Sequence, residues 1–288
     1  MKSVSPCPVC GGHVEPHRHG WVFRCAGCGL LSSTLEVAIP AEASQAVIDE
    51  TAREAGLATL RRRNNARLLD TLSGLTTPSR RLLDVGSGPG FLLDQAQAAG
   101  FAAEGVEPDA NTVEAARGHG ANVRHGYFPD VLAADERFDA IVFNDVLEHI
   151  PDLTPAVAAS ARHLAPGGVL CLNCPDQRGF FFRTAQVLDR LGIGGPYERL
   201  WQRGLPSPHV WYFTPALLDR VAAAAGLEPV ARTGLATIEL DGLWSRIRME
   251  RNAPIALSLA SYVFSLGVYP LQAILPSDAT ACFYRKPR

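Results

Sequence analysis

Three sets of residues in this chain of 288 have the types and spacing to do chemistry. The first is Cys7-x2-Cys10 followed, fourteen residues on, by Cys25-x2-Cys28. Each tight turn supplies two thiolates, and two such turns close a tetrahedral site. In a reducing compartment the spacing predicts bound structural zinc rather than a disulfide framework, and a redox pair would need only one of the two turns. His13, His17 and His19 lie in the same stretch and read as loop residues beside four thiols. The second set is Asp84-Val85-Gly86-Ser87-Gly88-Pro89-Gly90, an acid at the end of an apolar run and then glycines at alternate positions. Glycine reaches positive φ and lets another molecule approach the backbone. The G-x-G-x-G spacing departs from the dinucleotide fingerprint G-x-G-x-x-G. Asp84 repels a diphosphate and attracts an ammonium, so the turn suits an adenosine that carries a cationic group. Glu107, 17 residues after Gly90, belongs with it, because a carboxylate there accepts both ribose hydroxyls. The third set is Asn144-Asp145-Val146-Leu147-Glu148-His149 together with the distant His209, acids and imidazoles that can hold or move protons.

These residues need elements to position them. Residues 80–85 read as a short buried strand and 91–99 as an amphipathic helix, so the glycines fall at a strand's carboxyl end before a helix. Further strands are predicted at 101–106, 122–125, 138–143 and 169–173, with a helix at 152–164 and a Pro166-Gly167-Gly168 turn before the last of these. Residues 129–135 leave room for only a short helix. Alternating strands and helices predict a parallel sheet covered on both faces, whose ligands sit at the carboxyl ends. Farther on come an aromatic-rich helix from Phe180, a Gly/Pro-rich loop to 208, and a helix to 225 with Thr214 as N-cap and Pro215 in its first turn. Strands at 228–232 and 279–285 complete the reading. Before the sheet, 43–73 reads as a helix broken near Gly56, with Arg61, Arg62, Arg63 and Arg67 as a solvated basic face. Cys171 and Cys174 lie three apart in a strand and point to opposite faces, which makes them core residues rather than a second metal site.

In this setting the glycine turn resembles the first motif of class I S-adenosylmethionine-dependent methyltransferases. The stretch from Asn144 to Asp152 resembles the fourth motif of the subgroup with LEH-(V/I/L)-PD. His163-Leu164-Ala165-Pro166-Gly167-Gly168-Val169-Leu170 resembles its L-x-PGG-x-L turn, and His209-Val210-Trp211-Tyr212-Phe213-Thr214-Pro215 its H-x-x-(Y/H)-F-T-P segment. The motifs occur in the family's order over residues 80–234. The resemblance implies an α/β, Rossmann-like, doubly wound seven-stranded sheet at 80–288, with insertions at 176–213 and 235–278. Ahead of it stand a zinc ribbon at 1–33 and a helical cap at 34–79. It implies that S-adenosylmethionine is held by Asp84, Gly86, Ser87, Gly88, Gly90, Phe91, Glu107, Pro108, Tyr127, Asn144, Asp145 and Val146. The acid that many such enzymes place after the third strand is missing. His125-Gly126-Tyr127-Phe128 stands there, so backbone near Gly126 and stacking on Tyr127 or Phe128 must replace it. Methyl transfer needs alignment and desolvation, and an acceptor hydroxyl also needs a base. His149 is the first candidate and His209 the second. Asp145, Glu148 and His149 also resemble the acid, acid, histidine set that binds a divalent metal in ubiquinone-biosynthesis O-methyltransferases, where the first acid is Glu. Such a set suits Mg²⁺ or Zn²⁺.

A net charge of −2 gives no footprint for a polyanion. That argues against an RNA methyltransferase gripping RNA through the ribbon, as does the absence of an Asn/Asp-Pro-Pro-aromatic motif at 144–147. A ribbon adaptor without catalysis fits poorly with the intact glycines and Glu107, and an NAD oxidoreductase fits poorly with the glycine spacing. The N-terminus has no apolar core of signal-peptide length, so a cytoplasmic protein is expected. Residues 253–276 carry no charge and follow Arg246, Arg248 and Arg251. They are long enough to span a bilayer, but Pro270 interrupts them, and the last strand must return to the sheet. A lid, a homodimer contact or a hairpin lying in the bilayer interface remain as options. With Phe180, Phe181 and Phe182, the segment points to a small-molecule or lipid-like acceptor, methylated at oxygen (or at carbon or nitrogen), and to an enzyme peripheral at the inner membrane face.

Overall fold

The structure, a computed structural model, describes residues 6–38, 49–76, 80–249 and 254–288. The chain opens with three short antiparallel strands, β1 (Val14–Pro16), β2 (Val22–Cys25) and β3 (Leu31–Ser33). Helix α1 (Glu50–Leu75) follows, and Asp49 caps it by accepting from the Ala52 amide. Strand and helix then alternate through β4 (Arg81–Val85), α2 (Phe91–Ala98), β5 (Ala102–Glu107), α3 (Ala110–Gly118), β6 (Val123–His125), β7 (Phe138–Asn144), α4 (Leu153–His163) and β8 (Leu164–Pro175). The remainder comprises α5 (Phe180–Arg190), α6 (Gly195–Leu200), β9 (Trp211–Tyr212), α7 (Pro215–Ala224), β10 (Glu228–Gly234), α8 (Leu243–Arg248), α9 (Ile255–Val268), a 3-10 turn (Tyr269–Leu271) and β11 (Ala279–Arg285).

Seven strands form one sheet in the order β10-β11-β8-β7-β4-β5-β6. The five from β4 to β8 are parallel, and β11 inserts antiparallel between β8 and β10. The central strands are apolar at successive positions because both faces are covered. Leu83, Ile141, Phe143, Leu170 and Cys174 face one core, shared with α4 and α7. Leu82, Ala140, Val142 and Cys171 face the other, shared with α1, α2 and α3. Cys171 and Cys174 therefore sit on opposite faces, as their spacing required.

Four expectations need correction. First, α1 runs unbroken through Gly56, and the expected part before Asp49 lies outside the described residues. Gly56 is a crossing point, since a Cβ there would overlap the backbone of Arg246, and one on Gly242 would lie 2.8 Å from Gly56 Cα. Second, β8 spans twelve residues, with Pro166-Gly167-Gly168 inside it. The register jumps from Phe138↔Leu164 to Ala140↔Val169, so 165–168 bulge out of the ladder instead of forming a turn before it. Third, residues 129–135 form turns and no helix. Fourth, Phe128 is packed edge-on against Phe143 and His163 in the core, which leaves Tyr127 as the exposed aromatic of that pair.

A second sheet has the order β1-β2-β3-β9. Leu31 pairs with Tyr212 and Ser32 with Trp211, so the N-terminal hairpins extend across a strand from the second half of the chain. Val22, Leu31, Phe182, Tyr197, Trp201 and Tyr212 bury one another beneath this sheet. Among the described residues no helix is long and apolar enough to cross a membrane.

Candidate active site

β4 lies between β5 and β7, so its carboxyl end gathers the residues of three strand ends. Gly86, Gly88 and Gly90 all have positive φ (69°, 52° and 87°), and Gly90 caps α2. The three meet different surroundings. A Cβ on Gly86 would come within 2.7 Å of Val146, which packs down on it from the end of β7. A Cβ on Gly88 would meet nothing within 4 Å, so this backbone is open to a ligand. Gly105, on β5, leaves the room that the Ser87 hydroxyl occupies. Glu107 accepts from the amides of Gly88 and Asp109, each at 3.0 Å, and burial raises its pKa. Asp84 is buried below the turn. Burial first and the Glu107 charge second push its pKa up to about 8. Asp84 Oδ1 and Ser87 Oγ are buried with no hydrogen-bond partner among the described residues. Phe91 and Tyr127 are exposed, Phe91 under the Arg61 guanidinium at 5.8 Å, and the Pro108 carbonyl lies 3.1 Å from His125 Nε2.

The β7 end is held by a chain of amides. Asn65 of α1 accepts from Asn144 Nδ2 at 3.1 Å, and Asn173 Nδ2 donates to Asn144 Oδ1 at 2.8 Å and to Asp145 Oδ1 at 3.0 Å. Asp145 has a left-handed backbone, φ 57°. Burial raises its pKa against the opposing charges of Arg61 and Arg246. A 3-10 turn (Leu147–His149) then carries Glu148 and His149. Glu148 is buried beside the Cys174 thiol, its oxygens meet no nitrogen or oxygen donor among the described residues, and burial with the Asp145 charge drives its pKa well above the carboxylate range. His149 Nδ1 lies 3.0 Å from the Pro208 carbonyl. A carbonyl only accepts, so Nδ1 carries the proton and Nε2 keeps its lone pair. Burial lowers the pKa of His149, and burial together with His149 lowers that of His209 much further. The two rings stand 4.8 Å apart, edge to face. Gln202 Nε2 meets His209 Nε2 at 2.9 Å, and the Leu200 backbone lies beside the ring. One donor atom each from Glu148, His149 and His209 lies within 4.8 Å of the others. That group differs from the expected Asp145, Glu148, His149 set, because Asp145 is drawn toward Asn173 and His209 takes the third place.

The four cysteines of the N-terminal hairpins converge as their spacing required. Cys7 Sγ is 3.6 Å from Cys28 Sγ and Cys10 Sγ 3.4 Å from Cys25 Sγ, and all four sulfurs lie within 4.8 Å of one another. A tetrahedral site with bonds of 2.3 Å has sulfur edges of about 3.8 Å, so the sulfurs are already near that shape. This unit abuts the histidine pair. Ser33 Oγ donates to the His209 carbonyl at 2.8 Å, the Ser33 amide donates to the Val210 carbonyl, and the Val210 amide donates to the Glu148 carbonyl. Asn65, Asn173, Ser33 and Gln202 went unnoticed in the sequence. Only Asn65 had a legible signal: it shares a helix face with Leu68, Leu69 and Leu72, and a lone amide on an apolar stripe is a buried polar group in need of a partner.

A family profile described as a methyltransferase domain matches residues 57–232. The chain belongs to the methyltransferase family. A ubiquinone biosynthesis O-methyltransferase from Methylobacterium sp. (strain 4-46) is 30% identical over 188 residues, 62% of this chain and 70% of that protein. One from Caulobacter sp. (strain K31) is 30% identical over 203 residues, 67% of this chain and 75% of that protein. Among solved structures, a SAM-dependent methyltransferase from Archaeoglobus fulgidus superposes with a TM-score of 0.51 at 16% identity, covering 77% of this chain and 92% of that one. A cyclopropane synthase from Mycobacterium tuberculosis gives 0.54 at 19%, covering 77% and 84%. At such identities the two structures speak for the fold alone.

The protein is thus a SAM-dependent methyltransferase of the class I fold. The residues present fit that ligand: an open glycine backbone, an unpartnered buried acid and an unpartnered hydroxyl lie at one strand end. The cysteine unit and the 235–278 insertion both lie outside the matched residues of this methyltransferase.

Proposed function

We propose that this methyltransferase moves the methyl group of S-adenosylmethionine to a hydroxyl oxygen of a small, apolar acceptor, with His149 taking the hydroxyl proton. The observation that carries this reading is the His149 ring, whose Nδ1–H is committed to the Pro208 carbonyl, so that Nε2 is an unprotonated base at the end of β7. Bound S-adenosylmethionine supplies the electrophilic methyl. Asp84 meets its ammonium, and Glu107 turns from the Gly88 and Asp109 amides to the ribose hydroxyls. Gly86, Ser87, Gly88 and Gly90 admit the nucleoside to the backbone, and Phe91, Pro108 and Tyr127 border its base. Asn144, Asp145 and Val146 form the floor between donor and acceptor. His209, held by Gln202, fixes the His149 ring from the side and excludes water. The four cysteines hold a structural zinc ion.

A second reading has its own observation, the convergence of one donor atom each from Glu148, His149 and His209 within 4.8 Å of one another. Those residues would hold a divalent ion that polarises the acceptor hydroxyl. Two imidazoles with one carboxylate suit Zn²⁺ better than Mg²⁺. The relatives are named for ubiquinone biosynthesis, so the test uses phenols with an apolar tail and methyl-labelled S-adenosylmethionine. Label in a methoxy group that persists after chelation, with the cysteine site verified as loaded, supports the base mechanism. Loss of turnover under the same conditions supports the metal. Label in RNA and in none of the phenols would sink the proposal.

A further inference from the structure

The α9 helix is inside out. Its serines face the protein: Ser258 is buried, accepts from Arg248 Nη1 at 3.5 Å and donates to the Pro254 carbonyl, while Ser261 and Ser265 are half-buried. Its exposed residues are Ile255, Ala256, Leu257, Leu259, Ala260, Val263, Phe264, Leu266 and Gly267, and none of them is polar. At about 100° per residue they cover an unbroken arc of roughly 200°. The exposure is substantial, 59% for Leu257 and 66% for Val263, and beyond the helix Ile274 reaches 81%. A surface helix in water shows the opposite pattern, with its apolar stripe toward the core.

We propose that α9 lies in the interface of a phospholipid bilayer and seats this enzyme on it. The width of the arc chooses the occupant. A second copy of the chain would cover one stripe and leave the flanks of the arc in water. A fluid hydrocarbon phase covers all of it. At 14 residues α9 is about 21 Å long, too short for a bilayer core of about 30 Å, so it lies along the surface. The rim has matching chemistry. Trp244 packs edge-on against Tyr262, both amphipathic rings of the type found at headgroup depth, and Arg248 stands at the helix's amino end. From Pro254 to Ser277 there is no acid to repel anionic headgroups.

The location gives the seat a use. Phe264 packs on Phe180 and Phe181, just past the carboxyl end of β8, and the Phe180 amide donates to the Pro276 carbonyl. The α9 helix therefore sits over the edge of the sheet that carries the site, where an apolar acceptor could pass from lipid to protein without entering water. The membrane seat itself does not depend on which acceptor is used.

The test is flotation of the full chain with vesicles of phosphatidylcholine and phosphatidylglycerol, at low and high salt. The wild type is expected to float at both, because the contact is apolar. The exposed double variant Leu259→Glu/Val263→Glu is expected to stay at the bottom while binding S-adenosylmethionine as before. Quenching of tryptophan fluorescence by brominated lipid tests the wild type without any variant, and should fall by half or more in Trp244→Phe. A wild type that neither floats nor is quenched overturns the proposal. So does a folded double variant that floats equally well. A concentration-dependent dimer in light scattering, dissolved by the double variant and formed without flotation, would hand the face to a second copy and overturn it too.

Discussion

The charge states of single residues make the sharpest claims. His149 is expected to be a proton acceptor with little part in donor binding. His149→Ala should lower kcat by about 10²–10⁴-fold and leave the dissociation constant for S-adenosylmethionine unchanged, as single-turnover assays and calorimetry would show. Asp84 keeps its proton up to about pH 8 in the ligand-free fold. Its pKa is raised above the unfolded value of about 3.9, so its contribution to stability is full below that value and is lost as pH rises toward 8. A cationic ligand favours the carboxylate, so binding below pH 8 should release a proton and tighten as pH rises. Calorimetry in two buffers of different ionisation enthalpy measures this, and heats independent of buffer would refute it. Asp84→Asn should abolish the release and weaken binding by about 10–100-fold, the worth of one charge-assisted hydrogen bond. The residues legible beforehand were those whose chemistry is local: the glycine turn, Glu107 at a strand end, His149 five residues beyond Asn144. Asn173, Ser33 and Gln202 act through partners far away in sequence, and no spacing announces such a pairing.

Among the elements, the central strands of the seven-stranded sheet were legible because a both-faces-buried strand reads as a continuous apolar run. Helix α1 was harder. Gly56 looked like a break because glycine is a poor helix former, but tertiary contact decided the matter. The α8 backbone crosses at Gly56, and only a residue without Cβ admits it. Gly56→Ala should therefore destabilise the fold by about 1–3 kcal/mol, the usual cost of overpacking. Gly74→Ala, in the same helix with nothing within 4 Å of a Cβ, should be neutral or stabilising by up to about 1 kcal/mol. Urea midpoints for the pair decide it, and equal shifts in both would refute the crossing. The bulge at 165–168 was equally invisible, because register depends on β7 as much as on β8 itself.

For the molecule as a whole, the cysteine unit is built against the segment that carries His209, through Ser33, and away from the Gly86–Gly90 turn. Cys10→Ser/Cys28→Ser should loosen β3 and, through Ser33, the His209 backbone, while the Gly86–Gly90 turn keeps its own supports. S-adenosylmethionine affinity is expected to stay within about twofold, and acceptor kcat/KM to fall by about tenfold or more, since loss of alignment costs rate before it costs donor binding. Equal loss of both would show that the unit holds up the entire fold. The four cysteines were plain in the sequence, but where their unit docks was not, because β9 is only two residues long and carries no strand pattern of its own.

That docking also orders events during synthesis. Leu31 pairs with Tyr212, 181 residues later. At about 5–20 residues per second the ribosome needs roughly ten to forty seconds to deliver the partner strand. Cys7 through Cys28 emerge early and can close their hairpins at once, but the outer edge of β3 waits with its backbone donors and acceptors unpaired. The nascent chain thus has its first domain finished on one side and unfinished on the other until the glycine turn, the parallel strands and the histidine loop have all left the tunnel. The seam beside the His149 and His209 rings closes only once Tyr212 has emerged, and β10 and β11 follow it to complete the large sheet.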